Sequence, residues 1–125
     1  MSSLMAVLLN DIAQLEYDRD KPLSDYQTTY LAKMDKKMDA GIELDGQHIE
    51  NPDVNQRAQF ITANLLHAIK NSDESMSAAL CSYLADRLPD LKQVKITENE
   101  EKVTIDLVFN EDYVRQVAVD LPKLH

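Results

Sequence analysis

The feature that most constrains this fold is a change of hydrophobic period after Leu91. Before that residue, apolar side chains recur every three or four positions, the spacing of one face of an α-helix. After it, from Val94 onward, they alternate with polar residues, which is typical of half-buried β-strands. The sequence therefore predicts an α+β fold with its helices first and its strands last.

Four apolar stripes at helical spacing predict four helices before Leu91. In the first stripe, Leu4, Leu8 and Ile12 lie four residues apart. Ser24 and Gln27 have the spacing of a capping box at the start of the second helix. The predicted helices cover residues 3–18, 24–40, 53–71 and 73–88, with an irregular connection over 42–52.

The alternating part of the chain predicts a three-stranded antiparallel β-meander. Its strands are expected at residues 92–98, 102–109 and 114–121. Alternate residues of a strand point to the same face, so one buried face is predicted for the second strand. No linker or repeat divides the sequence, and residues 1–125 are predicted to form a single domain. The residues expected on that buried face are Val103, Ile105, Leu107 and Phe109.

Composition excludes several classes of function. A single cysteine cannot form an internal disulfide or a multi-thiolate metal site. Two glycines cannot supply a glycine-rich phosphate loop. The apolar run 4–9 is too short for a membrane span. We therefore expect a cytoplasmic protein with no cofactor, no bound metal and no membrane partner.

The order helix, turn, helix, hairpin resembles that of a winged helix-turn-helix, but the charges do not fit DNA. The recognition helix, 75–88, would present a single basic residue, Arg87, next to the acidic Asp86. The expected wing tip over 98–101 contains three glutamates. Because phosphate neutralisation supplies much of the affinity for DNA, no direct nucleic-acid binding is expected.

Two sets of side chains suggest chemistry or recognition. His48 lies in the 42–52 connection near Asp45, Glu50 and Asp53, and a His–carboxylate pair there could act as an acid–base couple. A second stripe, from Tyr26 to Met38, has the composition of a peptide-binding groove, although its helical spacing favours core packing. That stripe consists of Tyr26, Tyr30, Met34 and Met38.

With no catalytic constellation in the sequence, the leading hypothesis is a non-enzymatic protein–protein interaction or regulatory module, acting as a homodimer or on another protein. Two alternatives are an acidic nucleic-acid mimic, suggested by a net charge of −9, and a small cofactor-independent enzyme that uses loop carboxylates and His48. The expected interaction surfaces are a small-residue helix face, the free edge that the first strand of the meander is predicted to form over 93–97, and the exposed face of its sheet. The small-residue face comprises Ala78, Cys81 and Ala85, and the sheet surface comprises Lys95, Val108 and Ala118.

Overall fold

A computed structural model of the chain describes residues 4–114. This part contains three helices and six strands, so the prediction of four helices followed by a three-stranded meander is wrong, although the fold is α+β. The elements in chain order are β1 (Leu4–Leu9), β2 (Ile12–Asp18), α1 (Asp25–Asp39), β3 (Ile42–Leu44), β4 (Gln47–Ile49), α2 (Val54–Lys70), α3 (Glu74–Arg87), β5 (Gln93–Glu98) and β6 (Val103–Val108).

The predicted helix 3–18 is instead the hairpin of β1 and β2. Asn10 and Asp11 form its two-residue turn with φ angles of 50° and 68°, the left-handed conformation that tight hairpins require. β1 is buried on both faces from Met5 to Leu8, which explains an apolar run without alternation. Such a short apolar run fits one face of a helix and a central strand equally well. It forms a strand here because it pairs with two neighbouring strands.

The main sheet has the strand order β2-β1-β5-β6. β1 pairs antiparallel with β2 and parallel with β5, and β5 pairs antiparallel with β6. The C-terminal hairpin therefore belongs to a mixed sheet, because β1 takes the place beside β5 that a meander leaves open. The third predicted strand, 114–121, lies outside the described residues except for Val114, which is not in a strand.

Local capping sets the helix starts. Ser24 and Gln27 form a capping box at α1, and Asp53 and Gln56 form another at α2. The connection 42–52 contains the hairpin of β3 and β4 around a turn at Asp45, so it is more regular than predicted. None of the helices in residues 4–114 is long and apolar enough to cross a bilayer.

One face of the main sheet carries the core. There α2 and α3 pack on side chains of β1 and β5, and a smaller cluster around Tyr113 covers the other face of β1. β6 lies beyond the best-covered region, so its predicted buried face is only partly formed: Val103 is 45% exposed and Phe109 42%. Leu107 packs against the core, and Val108, from the opposite face, is buried.

Candidate interaction surface

α1 is the least buried helix, and a polar network holds its C-terminal half. Only Leu31 and Met38 are buried among its 15 residues. The Asp35 carboxylate accepts hydrogen bonds from Tyr83 and from Arg87, whose Nε lies 2.9 Å from Oδ2. Arg57 of α2 donates to Asp35 over 3.3 Å and to Asp39 over 2.6 Å. This Asp35 network connects α1 to both α2 and α3.

The electrostatics of the network favour a charged Asp35. Partial burial raises the pKa of Asp35, but hydrogen bonds from Tyr83 and Arg87 and the positive charges of Arg87 and Arg57 outweigh it, and the net pKa is lowered. Burial and the hydrogen bond to Asp35 raise the pKa of Tyr83. Each side chain thus keeps the protonation state that its partners require, and the network acts as a structural connection at neutral pH.

The N-terminal half of α1 lies outside this network and beside α3, with Leu31 as its buried side chain. The two helices enclose an open groove of about 720 Å³. Small residues of α3 form its floor, while Tyr26, which is 81% exposed, and Met76, which is 39% exposed, stand at its rim. The groove is lined by Ser24, Tyr26, Gln27, Tyr30, Leu31, Ser75, Met76, Ala78, Ala79 and Ser82.

A second cavity continues the groove along α1. It has a volume of about 450 Å³ and includes Met34, Phe60 and His67 in its lining. Tyr30 and Met76 line both cavities and meet between them, with the Tyr30 hydroxyl 3.9 Å from the Met76 sulfur. The Tyr30–Met76 contact therefore lies between two neighbouring cavities, of which the second also has Lys37 and Asp73 in its lining.

The structure divides the predicted small-residue face. Ala78 is exposed and lines the groove, whereas Cys81 is 2% exposed and belongs to the core. Burial raises the pKa of the Cys81 thiol to about 12, so it has no thiolate character at neutral pH. Ala85 lines a separate cavity beside Arg19, whose guanidinium donates to the Leu88 carbonyl over 3.1 Å at the end of α3.

The sheet residues expected at an interface do not form a free edge. Lys95 lies on β5, which pairs with β1 and β6, so the prediction that residues 93–97 form an edge is wrong. Its ammonium group lies 4.0 Å from the Glu111 carboxylate. Val108 is buried, and Ala118 lies outside the described residues. The structure therefore brings no described pair of these residues together on an open surface.

His48 pairs with Glu43 across the β3–β4 hairpin, not with Asp45, Glu50 or Asp53 as predicted. His48 Nδ1 lies 2.8 Å from Glu43, with side chains 53% and 70% exposed. Asp53, one of the nearby acids, accepts a hydrogen bond at the start of α2. His48 lines none of the cavities described above. Across residues 4–114, no group of three His, Cys, Asp or Glu side chains has the arrangement of a metal site.

Sequence reasoning favoured core packing for the Tyr26–Met38 stripe, and the structure splits it. Met38 is buried in the core, whereas Met34 and Tyr30 are half-buried and Tyr26 is exposed. The aromatic start of the stripe was the useful signal, since Tyr26 lies in the first turn of α1, two residues after the Ser24 cap. The interpretation of the stripe as part of a peptide-binding groove therefore applies only to the N-terminal part of α1.

Comparisons with known protein families, with curated proteins and with solved structures found no match for this chain.

Proposed function

We propose that this protein is a non-enzymatic interaction module that binds a protein partner in the groove between α1 and α3. The observation that carries the proposal is the exposed apolar rim of Tyr26 and Met76 above a floor of Ala78 and Ala79. Tyrosine supplies large contact area at low entropic cost, and methionine adapts to differently shaped partners. The small floor residues let another backbone approach closely.

The network at the other half of α1 supports this assignment. Asp35 joins the C-terminal half of the helix to α2 and α3, while the N-terminal half has Leu31 as its buried residue and lies outside the network. A surface that can adjust at one end and is anchored at the other suits partner binding. The proposal places the module in the cytoplasm, where its one cysteine, Cys81, stays a free buried thiol.

Site-specific photo-cross-linking in the native cell tests the proposal. A photoreactive phenylalanine at position 26 is expected to give discrete protein adducts. The same group at Ala32, an exposed α1 residue that lines no described cavity, is expected to give none. An adduct of twice the monomer mass would identify a second copy as the partner.

A second variant links the adducts to the groove itself. Ala78→Leu keeps a strong helix former on α3 but fills part of the groove floor, so it is expected to abolish the adducts at position 26. Ala32→Leu is the matched control and is expected to leave them unchanged. Equal adduct patterns at positions 26 and 32, or adducts that survive Ala78→Leu, contradict the proposal.

A further inference from the structure

The charges next to the groove are mainly negative. The two segments that form it, 22–32 and 71–86, contain four acids and neither lysine nor arginine, and basic residues including Lys21, Lys33 and Arg87 lie directly beside their ends. All four acids are exposed, and only one of them, Asp86, has an ion pair within residues 4–114, to the adjacent Arg87. The four acids are Asp25, Asp73, Glu74 and Asp86.

The dimensions of the groove match a short helix. The lining residues of α1 lie within 24–31 and those of α3 within 75–82. Eight helical residues extend about 12 Å, so each wall offers about two turns. A helix laid in such a groove contacts it through residues at i, i+3 or i+4, and i+7. An apolar floor with an acidic border then favours a bound helix that has a stripe of apolar residues and cationic residues beside that stripe.

From this juxtaposition we infer that the partner presents a basic amphipathic helix, with an apolar stripe that fills the groove and lysine or arginine residues that face Asp25, Asp73 and Glu74. The inference rests on the proposed function, because it names the class of partner for the same groove. A second copy of this chain is a poor occupant, since its own net charge is −9 and like charges repel.

Three synthetic helical peptides, titrated into the isotope-labelled protein and followed by amide NMR shifts, test the inference. The first carries leucines at i, i+4 and i+7 with lysines elsewhere. The second replaces the lysines with glutamates, and the third has the composition of the first in scrambled order. The first is expected to shift amides of residues 24–31 and 75–82 and to bind about tenfold more tightly than the second, as a few exposed ion pairs would give. The scrambled peptide is expected to produce no localised shifts.

Protein variants separate charge from shape. The double variant Asp25→Asn with Glu74→Gln is expected to reduce the preference for the lysine peptide about threefold or more, while the shifts still map to the groove. The matched control, Glu43→Gln with Glu50→Gln on the exposed hairpin region, removes the same amount of charge elsewhere and is expected to leave the preference unchanged.

The outcomes distinguish this inference from the proposed function. Equal binding of the lysine and glutamate peptides in the groove overturns the inference about charge and leaves the groove as an interaction site. Shifts that spread over the surface for both lysine peptides, or that appear with protein concentration alone, also overturn it. Cross-linking at position 26 then shows separately whether the groove binds any protein.

Discussion

α1 and α3 are helices of 15 and 14 residues, but they are held in different ways. α3 has an unbroken buried run from Leu80 to Ala85 and packs between its neighbours. α1 buries only Leu31 and Met38 and depends on the charged groups around Asp35. Apolar burial on all sides fixes a helix rigidly, whereas a local polar attachment fixes one end and leaves the other adjustable. The groove lies at the end of α1 that the Asp35 network does not reach, where Leu31 is the buried side chain.

The largest effect is expected from truncation of the α3 core. Leu84 has no exposed surface, and Leu84→Ala should destabilise the protein by about 3–5 kcal/mol because it leaves a cavity in a rigid core. Leu31→Ala on α1 makes the same chemical change and should cost about 2 kcal/mol, since α1 can settle into the space. Denaturant unfolding measures both values, and an equal or larger loss for Leu31→Ala would break the comparison.

A smaller effect is expected from the Asp35 network. Asp35→Asn removes the negative charge opposite Arg57 and Arg87 and should cost about 1–3 kcal/mol. Asp39→Asn is the control, because Asp39 is exposed and, within residues 4–114, its ion pair is with Arg57; it should cost below about 1 kcal/mol. If the two variants unfold at the same denaturant concentration, Asp35 does not hold α1 as described.

The contribution of Asp35 should depend on pH in one direction. Its folded pKa is lowered, so the unfolded chain binds the proton first as the pH falls. The stability it supplies is therefore fully present above its unfolded pKa of about 4 and is lost as the pH falls through the folded value. The stability difference between the wild type and Asp35→Asn, measured by unfolding across this range, should shrink below about pH 4. A difference that grows on acidification would contradict the assignment.

The smallest effect on stability is expected at the groove rim. Tyr26→Ala should change the free energy of unfolding by no more than about 0.5 kcal/mol, since the side chain is 81% exposed. Thr29→Ala, at an exposed α1 position outside the groove lining, is the control for helix propensity. Thermal unfolding compares the two variants, and a loss of more than about 1 kcal/mol for Tyr26→Ala would mean that Tyr26 packs within the fold.

Local signals in the sequence identified part of this fold. The predicted capping box of Ser24 and Gln27 lies where the structure starts α1, because capping depends on residues three apart, and α2 begins one residue after the predicted helix start at 53. The hairpin of β1 and β2 was missed, since its apolar run has no period of its own. The turn at Asn10 and the alternation of Ala13, Leu15 and Tyr17 were available signals.

The parallel pairing of β1 with β5 could not be predicted from short segments of the sequence. The paired residues, such as Val7 and Val94, are separated by β2, the β3–β4 hairpin and three helices, and nothing at either site specifies the other. The groove was also beyond sequence reasoning, because it exists only where two helices fail to close. The sequence pattern indicated the small residues of the floor and the aromatic residue of the rim. The burial of Met38 in the core and the exposure of Tyr26 at the surface, however, depend on tertiary packing.

Amide hydrogen exchange under native conditions tests the difference between the two helices most directly. Amides of α1 should exchange through a local opening that costs less free energy than global unfolding, while the core amides of α3 should exchange only on global unfolding. Measured under the same conditions, Asp35→Asn should speed exchange in α1 by more than its global destabilisation accounts for. Equal opening free energies in the two helices, or acceleration by Asp35→Asn spread evenly over both, would contradict the account.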